Sequence, residues 1–415
     1  MQNLWSRLLA LSNDMKSFAY PAKLFIKIFL ATCLALLMLI AAPAQALTAP
    51  SIAARSWILF DVTSHQTLAS REPHLRIEPA SLTKLMTAYL VFEAIKEGKL
   101  SLSQEIKVTP SVWKLHPEAA KMFIDPALPV TVENLLSGLL VQSANDAAIA
   151  LAEAVDKNET AFVDRMNRTA ARLGLTATHF VNSHGQTDSQ HYSTARDLSV
   201  IALQVFNEFP EHYKIFSTKH FSYNKISQSN RNRLLWLDTT VDGIKTGQTN
   251  SAGYSLIASA VRPNGITNRR LLSIVIGADS DLARTQESQK LLNWGFLQFD
   301  TVKLYNKNQA IVNPPVWKGS QATVPLGFNY DVYVSLPRGM LSKIKPVIER
   351  PDPLLAPITQ YASVATLKVM ADGTVLVELP LQALEQVNSA SLFGRAIDSL
   401  RLFFNQNTKH PYFSL

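Results

Sequence analysis

Residues 81–96 read SLTKLMTAYLVFEAIK. Apolar side chains recur nearly all round a helix drawn over this stretch, which is typical of a helix buried inside a protein. The stretch nevertheless begins with Ser81 and Lys84, which lie one helical turn apart on the same face. A charged amine inside a core is costly unless it is paired or its pKa is lowered. The pattern therefore predicts a buried helix whose lysine can act as a neutral base near pH 7.

The elements on either side of this helix predict one sheet with helices packed on it. Strands are expected at residues 54–63, 243–247, 254–261 and 270–277. Helices are expected at residues 131–141, 146–155, 158–173, 194–207 and 285–296. Strands at both ends of the region predict an α/β domain in which the first and last strands are neighbours.

The N-terminus has the pattern of a secretory signal peptide. Lysines precede an almost purely apolar run at residues 28–42, and Ala44-Gln45-Ala46 follows it. We expect cleavage after Ala46 and export of the mature chain, although a retained transmembrane anchor is the alternative. The only cysteine, Cys33, lies inside this run. The mature chain would then have neither a disulfide nor a thiol nucleophile.

Composition and charge exclude some classes of protein. The chain has 415 residues, of which 47% are hydrophobic and 17% charged, as in a globular protein with one large and one smaller domain. Residues 1–46 carry four basic groups and one acidic group, so their removal lowers the net charge from +8 to +5. A modest charge spread along the chain does not indicate nucleic acid binding, but it suits work near an anionic membrane or wall polymer.

The C-terminal part changes character at about residue 304. Proline becomes frequent, and short β-type runs at residues 330–336, 365–369 and 375–379 predict a small all-β domain over residues 304–388. Residues 389–415 contain a helical pattern with an apolar, aromatic face. That face consists of Leu392, Phe393, Ala396, Ile397, Leu400, Phe403 and Phe404. We expect this helix to lie on a membrane surface; the alternative is that the face packs on the β domain.

Ser-x-x-Lys is a weak signal by itself. The pattern occurs four times, starting at Ser81, Ser111, Ser222 and Ser342. Only the match at Ser81 places its lysine on a helix that is expected to be buried. A serine beside such a lysine is a candidate nucleophile with its own base.

Two further short motifs are also ambiguous alone. Ser143-Ala144-Asn145 falls between two expected helices, where a hydroxyl and an amide can face one cleft, or can simply cap the next helix. Lys245-Thr246-Gly247 falls on an expected strand. The glycine there indicates close approach by a ligand, and a free strand edge can bind an extended peptide. The alternative is an edge strand protected by a lysine.

The three motifs in this order resemble those of penicillin-binding proteins and class A β-lactamases. Longer stretches resemble the low-molecular-mass penicillin-binding proteins, the serine-type D-alanyl-D-alanine carboxypeptidases. They are Pro79-Ala80-Ser81-Leu82-Thr83-Lys84, Asn145-Asp146-Ala147, residues 191–197, residues 230–235 and residues 242–247. The resemblance covers residues 52–300 closely and extends more loosely to Phe393-Gly394-Arg395. It implies a transpeptidase-like α/β catalytic domain over residues 47–303, the β-rich domain and a membrane-surface helix.

The resemblance also implies roles for individual residues. Ser81 would be the acylated nucleophile, Lys84 its base, and Ser143 the group that passes a proton to the leaving D-alanine. The backbone N–H groups of Ser81 and Gln248 would form the oxyanion hole. Gln248 departs from the threonine, serine or histidine that is frequent in the family, and Gln186 replaces a usual leucine after His184-Gly185.

The resemblance also implies which residues bind the substrate. By resemblance, Asn145 would hold the peptide, Lys245 would supply positive charge, and Thr246 would bind the terminal carboxylate with support from Arg284. Strand alternation points Lys245 and Thr246 to opposite faces, so simple alternation would not place both side chains in the cleft. Gly247 would allow the peptide to approach the strand.

The resemblance implies a peptidoglycan stem peptide as substrate, β-lactam antibiotics as acylating inhibitors, and no cofactor. No metal is expected either, because His184 and His191 lack a further ligand set. A β-lactamase would need a deacylating glutamate, and none occurs at residues 160–207. A D,D-endopeptidase shares the motifs but usually lacks the β domain. The intact motifs argue against a catalytically idle wall-binding protein.

Overall fold

A computed structural model describes residues 47–125, 127–265, 267–405 and 412–414. The expected signal peptide therefore lies outside the described residues. Among the helices that are described, every one is too short or too polar to cross a lipid bilayer.

The N-terminal part contains one five-stranded main sheet and two separate pairs of short strands. Its strands are β1 (Ser56–Asp61), β2 (Gln66–Arg71), β3 (Glu105–Ile106), β4 (Val130–Thr131), β5 (His220–Tyr223), β6 (Ile226–Ser229), β7 (Val241–Thr249), β8 (Gly253–Asn264) and β9 (Thr267–Ala278). The main sheet has the order β2-β1-β9-β8-β7 and is antiparallel throughout. The short pairs are β3-β4 and β5-β6. The prediction that the first and last strands are neighbours is confirmed, since β1 pairs with β9. The edge strand β2, which follows the turn after β1, was not predicted.

The helices of this part are α1 (Lys84–Lys96), α2 (Val132–Ser137), α3 (Asn145–Asp156), α4 (Glu159–Arg172), α5 (Ala195–Glu208), α6 (Pro210–Tyr213), α7 (Leu234–Leu237) and α8 (Asp281–Gln298). A 3-10 turn, Ala80–Thr83, leads into α1, and a π-helical turn, Gly138–Gln142, continues α2. Helix α8 begins four residues before the expected start at residue 285, because the Ser280 side chain caps it by accepting the Ala283 N–H.

Helix α1 forms the centre of the largest hydrophobic core. Its residues from Lys84 to Phe92 are all buried, as the apolar pattern predicted. The helix packs against α3, α4 and α5, so its first turn cannot move independently of the surrounding helices. The first turn of α1, which carries Lys84, is thereby fixed by packing on several sides.

The C-terminal part is rich in short strands with a core of its own. They are β10 (Phe299–Tyr305), β11 (Val316–Trp317), β12 (Leu326–Gly327), β13 (Val332–Pro337), β14 (Ile344–Glu349), β15 (Leu354–Leu355), β16 (Ser363–Ala371), β17 (Thr374–Ala383) and β18 (Tyr412–Ser414). Five of them form a sheet in the order β12-β17-β16-β14-β18. Strand β10 runs across the boundary expected at residue 304 and pairs with β13.

The last helix, α9 (Leu392–Asn405), contacts the β-rich part with its polar side. Asp398 accepts a hydrogen bond from the Lys318 backbone N–H, at 2.7 Å. Phe393, Phe403 and Phe404 on the apolar face are between 71% and 76% exposed. The apolar face therefore remains open to solvent along the described helix.

A buried carboxylate joins the two parts. Asp61, at the end of β1, pairs with Arg269 of β9, and both side chains are at most 3% exposed. The same carboxylate accepts hydrogen bonds from the hydroxyls of Thr301 and Ser335 on β10 and β13. A buried ion pair needs such additional bonds to offset its desolvation. The contact fixes β10 and β13 against the end of the main sheet.

Candidate active site

The 3-10 turn that leads into α1 brings Ser81 and Lys84 into direct contact. The Lys84 Nζ donates to Ser81 Oγ at 2.9 Å and to the backbone carbonyl of His184 at 2.6 Å. The lysine side chain is fully buried, whereas Ser81 is partly exposed. Serine and lysine thus lie within the distance at which a proton can be transferred.

The environment of Lys84 favours its neutral form. Burial of the amine, and to a smaller extent the Arg231 guanidinium, lowers the pKa of Lys84 to about 7; Asp146 opposes this in part. At neutral pH a substantial fraction of the amine is then unprotonated and can accept the Ser81 proton.

A break between two helices presents Ser143 to the same cleft. The π-helical turn ends at Ser143, which has a left-handed backbone with φ of 67°. Its Oγ is buried and has no hydrogen-bond partner among the described residues. A buried hydroxyl without a partner is costly, so this group is available to a substrate or a water molecule. Asn145 begins α3, and its N–H donates to the Ala120 carbonyl at 2.7 Å.

The Asp146 side chain fixes the backbone of the segment at residues 122–124. Its carboxylate accepts the backbone N–H groups of Met122, Phe123 and Ile124 at 3.0–3.3 Å. Burial raises the pKa of Asp146, and these hydrogen bonds oppose that rise. Asp146 belongs to Asn145-Asp146-Ala147, one of the stretches that carry the family resemblance. Nothing in that stretch predicts that the Asp146 carboxylate binds the backbone of residues 122–124.

Strand β7 is an edge strand of the main sheet, as the strand-addition hypothesis requires. Gly247 lies so close to the turn before α1 that an added Cβ would be 3.0 Å from Leu82 Cγ and 3.1 Å from the Pro79 carbonyl oxygen. The glycine therefore serves close packing of β7 on the segment that carries Ser81. This contact with the chain itself, and not only with a ligand, requires the missing side chain.

The two residues that precede this glycine have different positions. Thr246 lines the cleft, while Lys245 is buried and donates to the Thr246 carbonyl at 3.1 Å. Burial and the neighbouring Lys84, Arg231 and Arg284 lower the pKa of Lys245. A carboxylate that enters the cleft would compensate this crowding of positive groups.

Arg284, near the start of α8, reaches back to β7. Its Nη1 donates to the Gly247 carbonyl at 3.0 Å and to the Ser255 carbonyl at 3.3 Å, and its Nη2 pairs with Asp281. The guanidinium is 5% exposed but lines the cleft. Arg284 thus both braces the strand and adds positive charge beside it.

These groups surround a cavity of about 490 Å³. Of the residues expected at the site, it is lined by Ser81, Ser143, Asn145, Thr246, Gly247, Gln248 and Arg284. Lys84 and Lys245 are buried beneath the surface of the cavity. Glu118 is the single acidic lining residue within the described chain, and it is exposed.

Arg231 is a lining residue to which the sequence assigned no role. It makes no hydrogen bond within the described part of the chain, and burial lowers its pKa. The matching stretch at residues 230–235 was the available signal, but its spacing does not show that an arginine reaches Lys84. Only the folded chain brings these two cations together.

His184 and His191 contact other side chains of the protein. No group of three or more His, Cys, Asp and Glu side chains in the described ranges is arranged to hold a metal ion. His191 contacts Thr83 at 2.8 Å, and His184 lies 3.3 Å from the Glu159 carboxylate. Glu159 itself accepts hydrogen bonds from Ser183, and it does not line the cavity.

Comparison with known families matches most of the chain. Residues 43–280 match the family described as D-alanyl-D-alanine carboxypeptidase, and residues 299–389 match the C-terminal domain of penicillin-binding protein 5. A relative, D-alanyl-D-alanine carboxypeptidase DacA of Haemophilus influenzae, is 39% identical over 86% of this chain and 90% of its own length.

Solved structures resemble the fold as well. Penicillin-binding protein 5 from Haemophilus influenzae aligns with a TM-score of 0.79 and 39% identity, covering 82% of this chain and 99% of that one. Penicillin-binding protein D2 from Listeria monocytogenes, in its ampicillin-bound form, aligns with a TM-score of 0.54 and 29% identity. That alignment covers 60% of this chain and 99% of the other.

The electrostatic influence of Arg231 on Lys84 predicts a shift in pH dependence. Arg231→Gln removes a positive charge near the amine, so the pKa of Lys84 should rise from about 7. If the neutral Lys84 amine is the base that activates Ser81, the rate of Ser81 acylation should then need a higher pH to reach half its maximum. The measurement is the acylation rate of Ser81 by a fluorescent penicillin as a function of pH.

Arg168→Gln provides the control, since Arg168 is an exposed arginine of α4. It should leave the midpoint of the profile unchanged. A lower rate for Arg231→Gln at every pH, with the wild-type midpoint, would mean that Arg231 only binds the penicillin and does not act on Lys84.

Proposed function

Because this chain belongs to the serine-type D-alanyl-D-alanine carboxypeptidase family of hydrolases, we propose that Ser81 is its nucleophile and Lys84 the base that activates it. The observation that carries this assignment is the 2.9 Å contact between Lys84 Nζ and Ser81 Oγ, with the lysine fully buried. The substrate that fits the family is a peptidoglycan stem peptide ending in D-alanyl-D-alanine.

Acylation starts with the neutral amine. Lys84 accepts the Ser81 proton as Oγ attacks the carbonyl carbon of the penultimate D-alanine. The carbonyl oxygen becomes an oxyanion, which the backbone N–H groups of Ser81 and Gln248 stabilise. Collapse of this intermediate breaks the peptide bond. Ser143 gives its hydroxyl proton to the nitrogen of the leaving D-alanine and takes up the proton that Lys84 had accepted, so Lys84 is neutral again.

Deacylation reverses the same roles. A water molecule attacks the ester carbon of the acyl-enzyme and gives its proton to the neutral base, and Ser81 leaves with a proton returned to Oγ. The products are free D-alanine and a peptide shortened by one residue. The enzyme returns to its starting protonation state without a cofactor.

Recognition of a free carboxyl end rests on the charge of the cleft. Lys245, Arg231 and Arg284 influence one another electrostatically, and the only lining carboxylate among the described residues is the exposed Glu118. An entering carboxylate relieves the repulsion between these cations. Thr246 adds a neutral hydroxyl to the same wall.

Two competing activities are less well supported. A β-lactamase would need an efficient deacylating carboxylate, but Glu159 is held by Ser183 and lies outside the cavity lining. The match of residues 299–389 to the C-terminal domain of penicillin-binding protein 5 favours a carboxypeptidase over an endopeptidase without that domain.

We predict that penicillin acylates Ser81 alone. Penicillin-binding protein D2 from Listeria monocytogenes, a structural relative, has been solved in an ampicillin-bound form, and Ser81 has the buried lysine beside it. Intact-mass analysis of the mature protein should show one adduct, which Ser81→Ala abolishes. Ser111→Ala is a matched control, because Ser111 begins another Ser-x-x-Lys match and should keep the adduct. An equal yield of adduct in Ser81→Ala would refute the assignment.

The carboxylate hypothesis predicts a selective loss in Arg284→Ala. Removing a charge-assisted contact should cost about 1.5–3 kcal/mol, or roughly ten- to a hundred-fold in kcat/KM. The loss should be much larger for peptides ending in free D-Ala-D-Ala than for the same peptides capped as amides. Kinetics on this pair of substrates separates the two functions of Arg284. Equal losses on the free acid and the amide would mean that Arg284 only supports the fold, through its bonds to the Gly247 and Ser255 carbonyls. The substrate carboxylate would then be bound by other residues.

The mature enzyme would act outside the cytoplasmic membrane and be held on its surface by α9. The signal-peptide pattern at residues 1–46 supports export. The exposed face with Phe393, Phe403 and Phe404 supports membrane binding, because Asp398 turns the polar side of α9 toward the β-rich part.

Deleting residues 391–415 should therefore release active enzyme into the soluble fraction. A finer variant is Phe403→Ser with Phe404→Ser, which keeps the helix and removes two exposed rings. Both should reduce sedimentation with vesicles containing anionic lipid and keep the specific activity. The truncation also removes β18, the edge strand that pairs with β14. Loss of activity in the truncated protein and in the double serine variant would show that the helix belongs to the folded core, whereas loss in the truncated protein alone would point to β18.

A further inference from the structure

The segment that carries Ser81 is clamped between two other backbone segments. On one side, Gly185 has φ of +88°, and an added Cβ would be 1.8 Å from the Ala80 carbonyl oxygen and 3.0 Å from Ser81 N. On the other side, Gly247 of β7 packs on Pro79 and Leu82. The peptide that supplies one oxyanion donor is therefore sandwiched between the loop at residues 182–187 and β7.

One carboxylate connects all three of these segments. Glu78 Oε2 accepts hydrogen bonds from the hydroxyls of Thr187, Thr249 and Ser251, at 3.1, 3.1 and 2.8 Å. Thr187 ends the loop, Thr249 ends β7, and Ser251 lies in the turn to β8. Glu78 itself lies three residues before the nucleophile. Hydrogen bonds to a charged acceptor are stronger than neutral ones, so this triple contact restrains the segments effectively.

The restrained positions include both proposed oxyanion donors. Gln248, whose N–H is the second donor, directly precedes Thr249, which Glu78 holds. The first donor, Ser81 N–H, is on the segment to which Glu78 belongs. Stabilisation of an oxyanion depends on donors that are fixed at about 3 Å from the position of the charge. A small shift of β7 relative to the segment that carries Ser81 would therefore weaken binding of the transition state more than binding of the substrate.

We propose that Glu78 is a positioning residue that sets the spacing between the Ser81 and Gln248 N–H groups through Thr187, Thr249 and Ser251. Glu78 does not line the cavity and does not touch the reacting atoms. The proposal rests on the proposed function, because it assumes that Ser81 is the nucleophile and that these two N–H groups form the oxyanion hole.

The test compares Glu78→Ala, Glu78→Gln and Glu105→Ala in the mature protein. Deleting one oxyanion donor costs about a hundred- to a thousand-fold in kcat, so displacing one should cost roughly ten- to a hundred-fold. For Glu78→Ala we expect this loss in kcat, with KM changed less than about three-fold. Glu78→Gln keeps an oxygen acceptor and should recover most of the rate. Glu105, an exposed glutamate of β3, serves as the control and should have wild-type kinetics.

A second readout separates positioning from general destabilisation. A peptide boronic acid forms a tetrahedral adduct with the active-site serine, so its affinity should fall in Glu78→Ala by the same factor as kcat. The fraction of active enzyme, titrated by the amount of penicillin bound, should stay unchanged. If Glu78→Ala does not fold, Ser251→Ala removes the 2.8 Å contact with Glu78 and the 3.2 Å contact with the Thr249 hydroxyl, and leaves the other two bonds of Glu78 in place. It should show a smaller loss with the same split between kcat and KM.

The failures of the two proposals are distinguishable. If penicillin does not acylate Ser81 in the wild-type enzyme, the proposed function itself is wrong. If the wild type is acylated but the variants keep wild-type kcat and boronic acid affinity, Glu78 has no positioning role. The positioning role would also be refuted if Glu78→Ala loses activity only because a smaller fraction of the enzyme is active, with a normal kcat per active site.

Discussion

The hydrogen bond between the buried Lys84 amine and Ser81 is the interaction on which the rest of the structure depends. A lysine is stable in this position only if the surrounding protein provides a polar partner or removes its charge. The His184 carbonyl provides the partner, and burial together with Arg231 disfavours the charged form. The same conditions that make the lysine costly to bury make it a base at neutral pH.

The cost of this arrangement is distributed over the fold. Helix α1 fixes the lysine by packing on three helices. Gly247 and Gly185 allow β7 and the loop at residues 182–187 to pack closely on the segment that carries Ser81. The cleft also gathers cations that repel one another in the absence of an anion. A free substrate carboxylate would relieve that repulsion, so selectivity and affinity have a common electrostatic origin.

The sequence predicted the parts of this arrangement that have local signals. Local patterns predicted α1 and the two helices on either side of Ser143. The order of the elements predicted that β1 pairs with β9. Contacts between distant segments had no such signal. The electrostatic influence of Arg231 on Lys84 and the bonds of Asp146 to residues 122–124 arise only when distant parts of the chain fold together. The early start of α8 was missed because a single capping serine is a weak signal beside an apolar pattern.

The most direct test of the central claim is the titration of the Lys84 amine in the free enzyme. NMR of protein with labelled lysine side chains can follow each amine through pH, and Lys84→Arg identifies the Lys84 signal by its loss. We predict that this signal titrates with a pKa of about 7. A Lys84 signal that titrates near the ordinary lysine value, about 10.4, would contradict the role of Lys84 as the neutral base.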